Sequence, residues 1–197
     1  MKVTVYAGSA SGSRPVFERE AREFARSLAE AGVEIVYGGG AVGLMGAVAD
    51  AALEAGGTVT GVMPKSLVDA EVAHRGLTRL HVVDTMHERK QMMADLGDCF
   101  VALPGSVGTL EEIVEVWAWL VLGYHGKPVT LLNTDGYWSR LMGMARRMAA
   151  NGFLRPEELQ SFVPVGNAEE LFRLYETWRP PTPRWGLPEG QTRKDGQ

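Results

Sequence analysis

The sequence predicts an α/β protein with one doubly wound parallel sheet and helices on both of its faces. Short apolar runs of strand length alternate with longer segments of helical periodicity along most of the chain, and this alternation is typical of parallel sheets. Glycine-rich turns follow three of the predicted strands, at Gly8, Gly38 and Gly105. Because such turns gather at the carboxyl edge of a parallel sheet, we expect a ligand site there.

The individual elements follow from hydrophobic periodicity and from capping residues. The predicted strands cover residues 3–6, 33–37, 58–63, 79–83, 99–103, 128–132 and 162–165. The predicted helices cover residues 15–32, 47–55, 86–96, 110–122, 136–152 and 168–178. Pro15 suits a first helical position, Thr85 and Glu88 have the spacing of a capping box, and Asn167 is a further N-cap. The segment 66–76 is polar and is predicted as a loop.

Length and composition limit the classes of protein to consider. The 197 residues allow a single domain over residues 1–178, followed by a Pro- and Gly-rich tail over 179–197 that we expect to be disordered. The net charge of −4 gives no reason to expect a nucleic-acid or anionic-membrane partner. Apolar stretches stay below the roughly 18 residues of a membrane span, and the first residues are typical of a strand, not of a signal peptide. We therefore expect a cytoplasmic protein.

Metal and disulfide chemistry find little support in the sequence. Cys99 is the only cysteine, which excludes an internal disulfide and a cysteine-based metal site. The four histidines lack a ligand spacing such as H-x-x-x-H. We therefore predict no metal site.

The stretch from Leu103 to Glu112 combines a strand end, a glycine-rich turn and a helix start. Unpaired N–H groups at a helix N-terminus favour an anion, so this turn is a candidate phosphate site with the Glu112 carboxylate beside it. Thr109 and Glu112 also have the T-x-x-E spacing of a capping box. A well-capped helix, with Glu112 holding only its own N-terminus, is the alternative interpretation.

A second glycine-rich turn, residues 38–46, contains G-x-G-x-x-G between a predicted strand and a helix. That context suits a dinucleotide fingerprint. However, the following strand ends in Pro64 and Lys65, where NAD binding would need an acid; a basic residue there still suits NADP. The structural alternative is a close strand–helix crossing that requires glycines.

Arg89 occupies an unusual position on the predicted helix 86–96. At 100° per residue it falls near the middle of the apolar side, with Lys90 at its edge. A guanidinium there needs a partner or an anion, because burying it unpaired is costly. We favour a functional arginine that binds phosphate or carboxylate over a structural salt bridge or a side chain that reaches water.

The predicted helix 110–122 is apolar almost all round, which indicates burial on more than one side and hence an oligomer. Glu112, Val116 and Trp119 share one face, so we expect apolar neighbours to raise the pKa of Glu112 and to favour proton transfer. Three anion-binding turns with Arg89 and Lys90 suggest a phosphorylated small molecule, most simply a nucleotide.

Four motifs resemble those of the Lonely Guy (LOG) family, the cytokinin riboside 5′-monophosphate phosphoribohydrolases that are often mislabelled as lysine decarboxylases. Residues 104–112 (PGSVGTLEE) resemble the signature P-G-G-x-G-T-x-x-E, with Ser106 in place of its second glycine. Residues 38–46 (GGGAVGLMG), 61–65 (GVMPK) and 86–90 (MHERK) also resemble family motifs. The resemblance covers roughly residues 3–152.

The resemblance implies a Rossmann-like homodimer that hydrolyses the N-glycosidic bond of a nucleoside monophosphate without a cofactor. It assigns catalysis to Arg89 and Glu112, and it places substrate contacts on Glu71, Lys90 and the turn at residues 106–112. Together with the glycine-rich turns, the predicted substrate-binding residues are Glu71, Met86, Arg89, Lys90, Gly105, Ser106, Val107, Gly108, Thr109, Gly8, Ser9, Gly39 and Gly40.

Three other functions remain as alternatives. A non-catalytic nucleotide-binding or carrier protein of the same fold would bind AMP without chemistry. An NADP-dependent oxidoreductase would use residues 38–43 and Lys65. A pyridoxal-phosphate decarboxylase would need a Schiff-base lysine, and no lysine in the sequence stands out for that role.

Overall fold

A computed structural model of the protein describes residues 1–70 and 72–185. In this part of the chain seven parallel strands form one sheet: β1 (Lys2–Tyr6), β2 (Glu34–Tyr37), β3 (Val59–Pro64), β4 (Arg79–Val83), β5 (Cys99–Ala102), β6 (Val129–Leu132) and β7 (Phe162–Val165). The strand order is β4-β3-β2-β1-β5-β6-β7. The winding direction therefore reverses between β1 and β5, which is where ligands bind in such sheets.

Helices cover both faces of the sheet, which confirms the predicted fold class. They are α1 (Pro15–Glu30), α2 (Gly43–Glu54), α3 (Lys65–Asp69), α4 (Met86–Leu96), α5 (Val107–Leu122), α6 (Ser139–Ala150), α7 (Pro156–Gln160) and α8 (Ala168–Thr177). One apolar core joins α1, α2 and α8 to the sheet. A second core, on the opposite face, joins α4, α5 and α6 to it. Among the described residues, no helix is long and apolar enough to cross a membrane.

Local sequence signals set several helix boundaries as predicted. Pro15 is the first residue of α1. Thr85 and Glu88 form a complete capping box at α4, in which the Thr85 hydroxyl accepts from the Glu88 N–H. The Asn167 side chain accepts from the Glu170 N–H and caps α8.

The predicted capping box at Thr109 and Glu112 is wrong. Helix α5 begins at Val107, three residues before the predicted start, and its N-cap is Ser106, which makes no side-chain cap hydrogen bond. Thr109 is buried against Gly105, where an added Cβ would lie 2.2 Å from the threonine Oγ1. T-x-x-E spacing also occurs inside a helix, so the pattern alone did not locate this start.

Further helices differ from the prediction. Helix α2 begins at Gly43 instead of residue 47, and the short helix α7 was not predicted. The segment predicted as a loop begins with one helical turn, α3, which the Lys65–Asp69 ion pair of 2.9 Å supports.

The first residues after position 178 lie against the domain. The Trp178 indole donates to the Gly126 carbonyl at 2.7 Å. The Arg184 guanidinium donates to both oxygens of the buried Glu158, at 3.0 and 2.7 Å, and Arg155 donates to the same carboxylate. Residues 179–185 of the predicted tail thus contact the domain, and residues 186–197 lie outside the described part of the chain.

Candidate active site

The three glycine-rich turns meet at the switch point between β1 and β5. The Gly8 N–H donates to the Pro104 carbonyl at 3.4 Å, and a Cβ on Gly8 would lie 3.2 Å from the Gly105 Cα. Gly43 has a φ of +60°, and its Cβ would lie 2.3 Å from the carbonyl carbon of Ser9. Only glycine permits the approach at Gly43, and a Cβ at Gly8 would be tightly packed against its neighbours. The glycines of the 38–46 turn therefore have a packing role.

A cavity of about 230 Å³ opens between these turns. Residues 8–12 and 104–106 line it, with Phe17, Leu44 and Tyr137 completing the wall. Helix α5 starts immediately after Ser106, so its first N–H groups lie at the cavity edge and favour an anion there. We call residues 8–12, residues 104–106 and the first turn of α5 the cradle.

Arg89 and Glu112 form a buried ion pair between α4 and α5. The Arg89 Nη1 lies 3.4 Å from the Glu112 Oε1, and the two side chains are 12% and 10% exposed. The Arg89 Nε donates to the Val62 carbonyl at 3.2 Å. The absence of a side chain at Gly38 makes room for the guanidinium, because a Cβ there would lie 1.9 Å from Nη2. The structure therefore gives this arginine a carboxylate partner within the protein, and binding of a ligand by Arg89 stays a prediction.

Glu112 has a strongly perturbed carboxyl group. Burial raises its pKa to about 7, and the attraction of Arg89 opposes this rise without cancelling it. The predicted direction of the shift is confirmed. Near neutral pH both protonation states of this carboxyl are populated, which suits a group that stabilises positive charge or handles a proton.

Lys90 lies apart from the cradle. Its ammonium contacts Glu111 and is 2.9 Å from the Glu115 carboxylate. Burial acts to lower the pKa of Lys90. The hydrogen bonds to the two carboxylates together outweigh this effect, so the pKa lies above its ordinary value. This side chain lines a separate cavity of about 600 Å³ beside α4 and α5, with Trp119. Phosphate binding by Lys90 stays a prediction.

The remaining predicted residues fall into three groups. The first group lies at the cradle, where Ser9 and Ser106 line the cavity and Val107 (81% exposed) and Gly108 face solvent at the start of α5. The second group is Met86 alone, which lies beside Arg89 with 3.9 Å between its Sδ and the Arg89 Nη1.

The third group is the buried part of the 38–46 turn. The Gly39 carbonyl accepts from the His74 N–H at 2.8 Å, and the Gly40 carbonyl accepts from the Tyr37 hydroxyl at 3.1 Å. Predicted substrate contacts at Gly39 and Gly40 stay predictions. Glu71 lies outside the described residues.

Tyr137 was not predicted, although it lines the cavity. Its hydroxyl donates to the Gly105 carbonyl at 2.5 Å. It follows β6, the neighbour of β5, so its loop belongs to the same carboxyl edge. That neighbourhood was the one available signal, since no motif marks this tyrosine.

Within residues 1–70 and 72–185, no group of three or more His, Cys, Asp or Glu side chains is arranged to hold a metal ion.

Known proteins similar to this chain identify its family. A family model described as "Possible lysine decarboxylase" matches residues 45–175. The chain is 44% identical over 179 residues to "Cytokinin riboside 5′-monophosphate phosphoribohydrolase LOG5" of Arabidopsis thaliana, across 91% of this chain and 78% of that one. It is 48% identical over 155 residues to "Cytokinin riboside 5′-monophosphate phosphoribohydrolase" of Rhodococcoides fascians, across 78% of each chain.

A solved structure shares the fold. The molybdenum cofactor binding protein of Rippkaea orientalis superposes with a TM-score of 0.66 at 20% identity, across 89% of this chain and 94% of that one. At this identity the likeness shows the fold alone.

Proposed function

Because the chain belongs to the family of cytokinin riboside 5′-monophosphate phosphoribohydrolases, we propose that it hydrolyses the N-glycosidic bond of adenosine 5′-monophosphate or of an N6-substituted AMP. Water adds across the bond between the sugar C1′ and the base, and the products are the free base and ribose 5-phosphate. The observation that carries the proposal is the buried Arg89–Glu112 pair near an anion-binding cradle.

The cradle binds the 5′-phosphate in this proposal. Backbone N–H groups at the start of α5 and the serine-rich turn at residues 8–12 supply donors without a fixed charge. Held by its phosphate, the nucleotide presents its sugar in one orientation, and this positioning lowers the entropic part of the barrier.

Glu112 acts on the sugar. Cleavage of an N-glycosidic bond passes through an oxocarbenium-like state, which a nearby carboxylate stabilises or supplies with an activated water. Arg89 holds Glu112 through the 3.4 Å ion pair, and Val62 fixes the guanidinium from the other side. The Arg89 donors that remain bind substrate.

The proposal includes a homodimer. Helix α5 carries apolar side chains on its outer side, where Leu110 and Val114 are exposed. The cavity beside α4 and α5 includes Met92, Leu96 and Trp119 together with charged side chains. A second copy would cover this surface. The cytoplasmic location expected from the sequence stays a prediction.

Product analysis tests the proposal. The purified protein is incubated with AMP and with N6-isopentenyl-AMP, and chromatography measures free base and ribose 5-phosphate. Both products should appear in equal amounts, and Arg89→Ala and Glu112→Gln should each lower turnover at least about 100-fold. Arg140→Ala and Glu176→Gln, at exposed positions of α6 and α8, are the matched controls and should keep wild-type turnover.

Two results would contradict the proposal. Near-normal turnover by a correctly folded Glu112→Gln variant would remove the assigned chemistry. Binding of AMP without release of base would favour the non-catalytic carrier instead.

A further inference from the structure

Tyr137 lies where the loop after β6 reaches the cradle. Its hydroxyl donates to the Gly105 carbonyl at 2.5 Å, and its ring borders the cavity that residues 8–12 and 104–106 also line. The ring packs edge-on against Phe17, with 5.7 Å between the ring centroids. One side chain therefore contacts both the α1 side and the β5 side of the cradle.

Contacts made by neighbouring residues anchor the loop that carries Tyr137. The adjacent Trp138 is buried, and its indole N–H donates to the Ala102 carbonyl at 3.2 Å. Its backbone N–H donates to the Asn133 side chain at 2.8 Å. Asp135 has a left-handed φ of 51° and pairs with Arg14. These contacts hold the loop that carries Tyr137 in place.

The hydrogen bond to Gly105 controls the direction of a peptide group. The Gly105–Ser106 peptide is trans, so its carbonyl and its N–H point in opposite directions. Glycine permits the rotations that would flip such a peptide. A flip would break the bond to Tyr137 and turn the carbonyl dipole around beside the start of α5, where an anion prefers N–H groups.

We infer that Tyr137 is a positioning residue for the phosphate of the substrate, acting through the Gly105 carbonyl. The inference rests on the proposed function in one respect, since it takes the cradle to be the phosphate site. Tyr137 stabilises the arrangement that binds phosphate in the ground state and the transition state alike. Its loss therefore weakens binding of phosphate-bearing ligands and leaves the chemical step unchanged.

The experiment compares Tyr137→Phe, which removes only the hydroxyl, with wild type. Tyr175→Phe, at an exposed position of α8, is the matched control. Calorimetric titration measures Kd for ribose 5-phosphate and for adenine, and steady-state kinetics measures KM and kcat for AMP. In Tyr137→Phe, Kd for ribose 5-phosphate and KM for AMP should rise about fivefold, the central value expected from one lost hydrogen bond. Adenine affinity and kcat should stay within about twofold of wild type, as should every value for the control.

The outcomes separate this inference from the proposed function. An unchanged Kd for ribose 5-phosphate in Tyr137→Phe overturns the inference, as does an equal loss of adenine affinity or a fall in kcat at constant KM. Failure of the wild-type protein to bind ribose 5-phosphate also overturns it. If the wild type releases no base but Tyr137→Phe still loses affinity for ribose 5-phosphate, the proposed activity is wrong and the inference stands.

Discussion

Replacing Glu112 by glutamine should change how stability depends on pH. The carboxyl is 10% exposed, and its pKa is about 7 in the folded protein against 4.5 for an unperturbed glutamate. Between these pH values the unfolded chain releases a proton that the folded protein keeps, so the free energy of unfolding falls as pH rises. The difference of about 2.5 in pKa corresponds to about 3 kcal/mol of unfolding free energy. This stability is fully present below pH 4.5 and is lost as pH rises through 7.

Urea unfolding at a fixed protein concentration, followed by tryptophan fluorescence between pH 5 and pH 8.5, measures this effect. Glutamine does not titrate, so the variant should gain about 2.5 kcal/mol relative to wild type across that range, whatever the constant offset from the altered Arg89 contact. Glu176→Gln, at an exposed site, should run parallel to wild type. A difference between Glu112→Gln and wild type that stays constant with pH would refute the reasoning from burial.

Three other substitutions test separate parts of the structure. Gly38→Ala places a Cβ 1.9 Å from the Arg89 Nη2, so the guanidinium must move. We expect kcat/KM to fall at least about tenfold with little change in melting temperature. Gly143→Ala in α6 is the control. Thr85→Ala removes the capping box of α4 and should lower the free energy of unfolding by about 1 kcal/mol in urea titration. An unchanged free energy would show that this cap does not stabilise the protein. Arg184→Ala loses both contacts to Glu158; limited proteolysis should then cut residues 179–185 faster than in wild type, and equal rates would show that Arg184 does not hold this segment.

The strands and the position of Arg89 could be predicted because each depends on a repeating local pattern. Strands buried on both faces form continuous apolar runs, and the helical period placed Arg89 on the buried side of α4. The identity of its partner could not be predicted from this pattern, since Glu112 is brought to it by the packing of α5. The same packing draws Lys90 toward Glu111 and Glu115, which the period of α4 alone does not indicate. Tyr137 reaches the cradle through the anchored loop after β6, a contact across 32 positions of sequence.

The contact between Gly43 and Ser9 joins main chain to main chain, with no side-chain atoms between the two turns. The backbone conformation therefore sets the shape of this wall, and alanine at Ser9 or Ser11 would leave that shape unchanged even where it removes a hydroxyl donor from the cradle. Substitutions at Gly43 would instead shift the neighbouring turn as a block and reach the cradle indirectly. Such a wall places its steric constraint on the few positions that carry no side chain.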